Sequence, residues 1–294
     1  MNIEITTSNN GRLDKLIAEN TNLSRENITK LINSNKCIVN GIIAKKKSQF
    51  ISTDTKIILQ LPNKKNCKSK INLDYVYVDE DIMIINKPKN IITHGLNNNH
   101  FGTINGSIID DYPEIKNVGD PERPGIVHRL DKGTTGLMIF SRNQKSYEKL
   151  KNMILNREIN RNYTALIHGI PKRKEAIINA PISRDPKNPL KRKVLSGGKE
   201  SKTLYKTIKS YSENTLVDIK LYTGRTHQIR VHFEELGHPI VGDKVYSNKN
   251  SSLDRPFLHS SNLEFLHPIK KNKVKFSSKL PKDLLEYLQQ INNE

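Results

Sequence analysis

The 294-residue sequence predicts an α+β fold in two parts. The first sign is alternation. Val217, Ile219 and Leu221 are interleaved with Asp218, Lys220 and Tyr222, the period-two pattern of a strand with one buried face. The second is a set of helical stripes, such as Tyr147, Leu150 and Ile154, or Ile229, Phe233 and Leu236. The third is arrangement, because strands and helices mix without the regular βαβ alternation of a doubly wound sheet. A polar, basic, aperiodic run over residues 62–72 reads as a linker between a domain at 1–61 and a larger one at 73–294.

In the first domain Leu13, Leu16 and Ile17 have helical spacing, and Ile28, Leu31 and Ile32 repeat it behind Ser24, a good N-cap. Cys37 to Ile43 reads as a hairpin with Asn40-Gly41 at its turn, and Ile57 to Leu61 as a closing strand. In the second domain Tyr75 to Val78 and Ile82 to Ile85 flank an acidic turn and form a hairpin that ends at Asn86-Lys87-Pro88. A helix carrying Tyr147 follows, then a strand from Arg161 to Ile167, the alternating strand at 217–222, and a helix stopped by Gly237.

Charge points to the partner. The chain carries 49 Lys and Arg against 30 Asp and Glu, a net +19 that favours a polyanion, nucleic acid before membrane. Residues 1–70 hold 13 Lys and Arg against 5 Asp and Glu, a net +8 on a short module. Arg12, Lys15, Arg25, Lys30 and Lys36 are its candidate RNA-binding side chains, able to share one face. Cys37 and Cys67 lack CxxC spacing, so neither a disulfide framework nor a zinc site is read, and a reducing compartment is expected. The N-terminus has no signal-peptide pattern, and no apolar run approaches the ~20 residues of a membrane span. The expected protein is cytoplasmic, monomeric and free of membrane.

Candidate chemistry centres on His128-Arg129-Leu130-Asp131-Lys132-Gly133-Thr134-Thr135-Gly136-Leu137-Met138. A carboxylate between an Arg and a Lys stays ionised, which suits a nucleophile. Two further strings stand out: Arg161-Asn162-Tyr163-Thr164-Ala165-Leu166-Ile167, and Thr223-Gly224-Arg225-Thr226-His227-Gln228-Ile229-Arg230-Val231-His232. Other motifs fail. Gly197-Gly198-Lys199 has Glu200 where a P-loop needs Ser or Thr, and His227 with His232 lacks the HExxH pattern. No second carboxylate in these strings supports a glycosidase.

These strings, in this order and with Asn86-Lys87-Pro88 before them, resemble the RluA/RluD family of RNA pseudouridine synthases. The Thr134-Thr135 variant and the basic N-terminal module look closest to the RluD subset. That module is similar to the alpha-L RNA-binding motif of the S-four type, with Asn35 where the motif usually has Gly; Asn also tolerates positive φ. The resemblance implies a mixed, mainly antiparallel sheet flanked by helices, and isomerisation of uridine to pseudouridine in structured RNA, most simply large-subunit ribosomal RNA. Transfer RNA as substrate, or a non-catalytic RNA-binding role on the same fold, are its alternatives.

By the same resemblance Asp131 is the reacting carboxylate, attacking the ribose or the base, or deprotonating the sugar. Arg225 is its ion-pair partner, Tyr163 stacks on the flipped base and assists at carbon-5, and Arg129 enters the gap the nucleotide leaves. The implied reaction needs no cofactor and no metal.

Overall fold

The computed structural model describes residues 2–21, 23–61, 71–95 and 100–292, and the chain divides into compact units at residues 1–68 and 69–294.

The N-terminal unit contains β1 (Asn2–Thr6), β2 (Gly11–Arg12), α1 (Leu13–Asn20), α2 (Arg25–Asn33), β3 (Cys37–Val39), β4 (Ile42–Ile43), β5 (Phe50–Ile51) and β6 (Lys56–Gln60). Ser24 caps α2 by accepting from the Asn27 N–H at 3.3 Å. Asn35 adopts φ 57°, the left-handed conformation that a Gly would otherwise supply. The Asn40-Gly41 turn has positive φ at both residues, which suits a tight hairpin. Leu13, Ile17, Ile28, Ile32, Cys37, Ile57 and Leu59 bury one small core between the helices and the sheet β1-β6-β3-β4. The β1 strand carries the same alternation but over only five residues, too short a pattern to mark a strand by itself.

Most of the expected linker, residues 62–70, lies outside the described residues. Its last part does not behave as a linker. Ile71 packs on the core of the second unit, and its N–H donates to Ser107 Oγ at 3.1 Å, so that unit starts before residue 73.

The second unit is built on a nine-stranded mixed sheet. Its strands are β7 (Asp74–Val78), β8 (Ile82–Lys87), β9 (Thr135–Ser141), β10 (Asn160–His168), β11 (Glu175–Asn179), β14 (Lys202–Ser210), β15 (Asn214–Leu221), β16 (Leu258–Leu266) and β17 (Lys273–Ser277). A hairpin, β12 (Ile182–Arg184) with β13 (Arg192–Val194), lies apart from it. The order is β11-β14-β15-β10-β16-β9-β8-β7, with β17 also paired to β16. All pairings are antiparallel except β16 with β9.

Both faces of the sheet are covered, which explains the apolar runs. Met83, Ile85, Met138 and Phe140 face one core, while Ile82, Ile84, Leu137 and Ile139 face the other. A strand buried on both sides reads as continuous hydrophobicity instead of alternation. Helices α3 (Ile104–Asp111), α5 (Gln228–Glu235) and α6 (Lys282–Asn292) cover the first core, and α4 (Gln144–Leu155) the second. At the parallel pair the backbones nearly touch. A Cβ on Gly136, whose φ is +108°, would lie 2.2 Å from the Ser260 carbonyl oxygen. Only glycine lets β9 start there, directly behind the Asp131 loop.

Candidate active site

Asp131 stands on the loop that leads into β9, and side chains from three other segments hold that loop by its carbonyls. Thr93 donates to the Leu130 oxygen at 3.0 Å. The Lys87 ammonium donates to Lys132 O at 3.1 Å and to Thr134 O at 2.9 Å. Arg255 donates to Gly133 O at 3.1 Å while its other nitrogens grip Asp283 of α6 at 2.8 and 3.0 Å. His128 accepts the Ile139 N–H at 3.0 Å, and its desolvated ring, with Arg161 nearby, is pushed down to about 3 and stays neutral. Such a loop is pre-organised.

Lys87 is buried at the end of β8. Desolvation lowers it to about 7, against the pull of the Asp131 carboxylate. The Arg255 guanidinium holds Asp283 down to about 2.

The carboxylate of Asp131 meets α5. Arg230 Nη1 donates to its Oδ2 at 3.1 Å, and His227 Nε2 lies 3.9 Å from the same oxygen. Arg230 is itself fixed by Asp243, at 2.6 Å from Nε and 2.8 Å from Nη2. Burial alone would lower Arg230, but the two carboxylates outweigh it and raise its pKa. Oδ1 of Asp131 has no hydrogen-bond partner among the described residues.

Above this carboxylate opens a pocket of about 660 Å³, whose lining includes Arg129, Arg161, Tyr163, Arg225 and His227. Tyr163 projects from β10 and is 4% exposed, with its pKa raised chiefly by desolvation. Arg161, two residues earlier on the same face of β10, is also buried and makes no side-chain hydrogen bond among the described residues.

A carboxylate with one oxygen held by Arg230 and one without a partner among the described residues, facing a buried tyrosine in a basic pocket, suits attack on a nucleoside. The model of the RNA pseudouridylate synthase family matches residues 81–235, which includes Asp131, Tyr163, Arg225 and Arg230. The chain belongs to this family. An RNA pseudouridine synthase of Bacillus subtilis (strain 168) is 32% identical over 98% of each chain. The ribosomal large subunit pseudouridine synthase D of Escherichia coli (strain K12) is 33% identical over 95% of this chain and 90% of its own. Among solved structures, human RNA pseudouridylate synthase domain containing 4 shares the fold with a TM-score of 0.60 at 23% identity, covering 74% of this chain and 93% of that one.

The pseudouridine synthase corrects one sequence expectation. Arg225 is not the ion-pair partner of Asp131; Arg230 is. Arg225 sits at the bend before α5, exposed, with its Nε donating to Glu200 O at 3.0 Å. His227 takes φ 59° immediately before the helix, so the backbone turns and the cation one helical turn further in is the one aimed at Asp131. Arg129 is exposed where it lines the pocket.

In the N-terminal unit Arg12, Lys15, Arg25 and Lys30 are exposed and Lys36 half-buried. Arg12 pairs with Asp14 at 3.0 Å and Lys30 with Glu26 at 2.7 Å. Lys15, Arg25 and Lys36 form no ion pair among the described residues. Sequence reasoning gave no role at the Asp131 site to Lys87, His227, Arg230, Asp243 or Tyr246, and weighed His227 only as a metal ligand. Two of them carried a signal: Arg230 is a charge beside the apolar stripe Ile229 and Phe233, and Lys87 falls on the same strand face as Met83 and Ile85. No described helix is long and apolar enough to cross a membrane.

Proposed function

We propose that this RNA pseudouridine synthase isomerises uridine in large-subunit ribosomal RNA, in the cytoplasm and as a monomer, with Asp131 as the reacting carboxylate. The observation that carries the reading is the Asp131 carboxylate, held through Oδ2 by Arg230 and open at Oδ1 under the pocket. The net reaction breaks the bond from uracil nitrogen-1 to ribose carbon-1′ and forms the bond from carbon-5. A proton leaves carbon-5 and one is gained at nitrogen-1. Electrons balance without redox chemistry.

Asp131 supplies the negative charge that meets the electron-poor sugar or base. Tyr163 offers a ring for the extruded uracil, and its hydroxyl is the group in the pocket suited to accept the carbon-5 proton. Desolvation raises its pKa and keeps the hydroxyl protonated, so it can take that proton only once the substrate and Arg161 help to stabilise the phenolate. Arg129 fills the stack that the nucleotide leaves, and the exposed cations of the N-terminal unit grip phosphates in the manner of the S-four-type motif. The rRNA assignment rests on relatives named for the large ribosomal subunit, at 33–36% identity across nearly the whole chain.

Purified enzyme incubated with ribosomal and transfer RNA from a strain lacking it tests the substrate. Pseudouridine appearing at defined positions of large-subunit RNA is expected. Modification of transfer RNA alone would overturn the ribosomal assignment.

A further inference from the structure

His227 is placed at some cost. It has φ 59° and ψ 16°, a left-handed conformation uncommon outside glycine, and its side chain makes no capping bond to α5. Strain kept without local benefit marks a residue held for its side chain. That side chain is held by Tyr246, whose hydroxyl lies 2.8 Å from His227 Nδ1.

The direction of this bond can be worked out. The Tyr246 hydroxyl already accepts the Arg192 N–H at 2.8 Å, and Tyr246 is 8% exposed. Among the described residues the only acceptor for its own proton is His227 Nδ1. An unsatisfied buried hydroxyl is costly, so Tyr246 donates and Nδ1 accepts. In the neutral ring the proton then sits on Nε2, the nitrogen 3.9 Å from Asp131 Oδ2. A second argument gives the same tautomer. A lone pair on Nε2 would point at a carboxylate oxygen, and an N–H there is attracted instead. Desolvation, with Arg230 and Arg192 near, disfavours the imidazolium against Asp131 and Asp243.

We propose that His227 is a positioning residue, a neutral Nε2–H imidazole locked by Tyr246 that joins Arg230 in holding Oδ2 of Asp131 and leaves Oδ1 to face the substrate. The inference rests on the reading of Asp131 as the reacting group. Arg230 supplies the charge and His227 a second direction, which together fix the plane of the carboxylate about its Cβ–Cγ bond and so the direction in which the other oxygen points. The 3.9 Å separation is longer than a hydrogen bond, as contacts to catalytic groups often are before substrate binds.

The ring nitrogens of 15N-histidine-labelled full-length protein test the tautomer directly, with the His227→Asn spectrum assigning the signal. Nε2–H at neutral pH is expected. An Nδ1–H tautomer or an imidazolium would overturn the proposal, and this holds whether or not any variant folds. Tyr246→Phe keeps the ring under which Arg230 lies but removes the lock, and should mix the tautomers; an unchanged spectrum would sink the role of Tyr246.

In tritium release from carbon-5-labelled RNA, His227→Asn tolerates the backbone but lacks reach. It should lower kcat about tenfold with KM little changed, and His227→Gln, which restores a donor at that reach, should recover much of the loss. Equal loss in both, or a loss confined to KM, would overturn it. Asp131→Asn is assayed beside them. An active Asp131→Asn removes the reading of Asp131 and this inference with it, whereas an inactive one with the wrong His227 tautomer removes this inference alone.

Discussion

In the N-terminal unit the cations stand outside. Lys15 and Arg25 are exposed with no ion pair among the described residues, and Lys30 meets Glu26 with both side chains mostly in water. In the second unit the cations that matter are inside: Lys87 and Arg255 are 1% exposed, Arg230 is 6%, and each is held by two or more oxygens of fixed position. Exposed charge in water is screened beyond about 8–10 Å and tolerates any geometry that brings phosphates near. Buried charge is expensive to place and survives only with its partners, so it fixes geometry. Charge of the first kind suits affinity, and charge of the second kind suits alignment.

The sharpest break of that contrast is at Asp131, the carboxylate proposed to react. Asp131→Asn is nearly isosteric and should lower turnover by more than about a hundredfold while RNA affinity stays within a few-fold. Tritium release and filter binding on the same RNA read the two quantities. Turnover close to wild type would remove Asp131 from the chemistry.

Next in size is the choice between two arginines five residues apart. Arg230→Met leaves Asp243 buried without its cation and should cost about 3–5 kcal/mol of stability, with activity lost as well. Arg225→Met removes an exposed side chain and should cost less than about 0.5 kcal/mol. Urea unfolding of both decides, and a reversed order would restore the pairing expected from the sequence.

A smaller effect follows from His259. It is 1% exposed between Thr135 Oγ1 at 2.9 Å and Ser278 O at 3.2 Å, and burial lowers it to about 4. The unfolded ring titrates near ~6.5, so as the pH falls from there toward 4 the unfolded chain takes up a proton that the native one refuses. Stability contributed above ~6.5 is therefore lost in that window, at about 1.4 kcal/mol per pH unit. His259→Gln should make the acid side of the stability–pH curve shallower by one proton. Parallel curves would show that His259 titrates alike in both states.

The sequence made local pattern visible and left long-range placement hidden. The helical stripes at 13–17, 28–32 and 147–154 and the alternation at 217–221 each became the expected element, because one buried face imposes its period on neighbouring residues. The strings around Asp131, Tyr163 and Arg225 line one pocket. Which arginine meets Asp131 was not legible, since it depends on a left-handed residue at 227 that no apolar pattern records. The parallel pairing of β16 with β9 depends on residues more than 120 positions apart. Gly136 signals a close approach there without saying to what.

The finest test lies back in the N-terminal unit, at single side chains. Arg25 is exposed and Lys36 half-buried, neither has an ion-pair partner among the described residues, and neither belongs to the core of that unit. Replacing either by Gln should therefore leave stability within about 0.5 kcal/mol. If each contacts one phosphate, its loss removes one set of released counterions and flattens the slope of log affinity against log salt by about 0.7–0.9. Turnover at saturating RNA should not change, because no group around Asp131 is altered. Lys30→Gln serves as the internal control: with Glu26 at 2.7 Å its charge is already partly answered, so its slope change should be the smallest of the three. Three equal slopes matching wild type would mean that exposed charge on this unit reflects composition alone. A fall in turnover without a change in slope would mean that the unit aligns the RNA as well as attracting it.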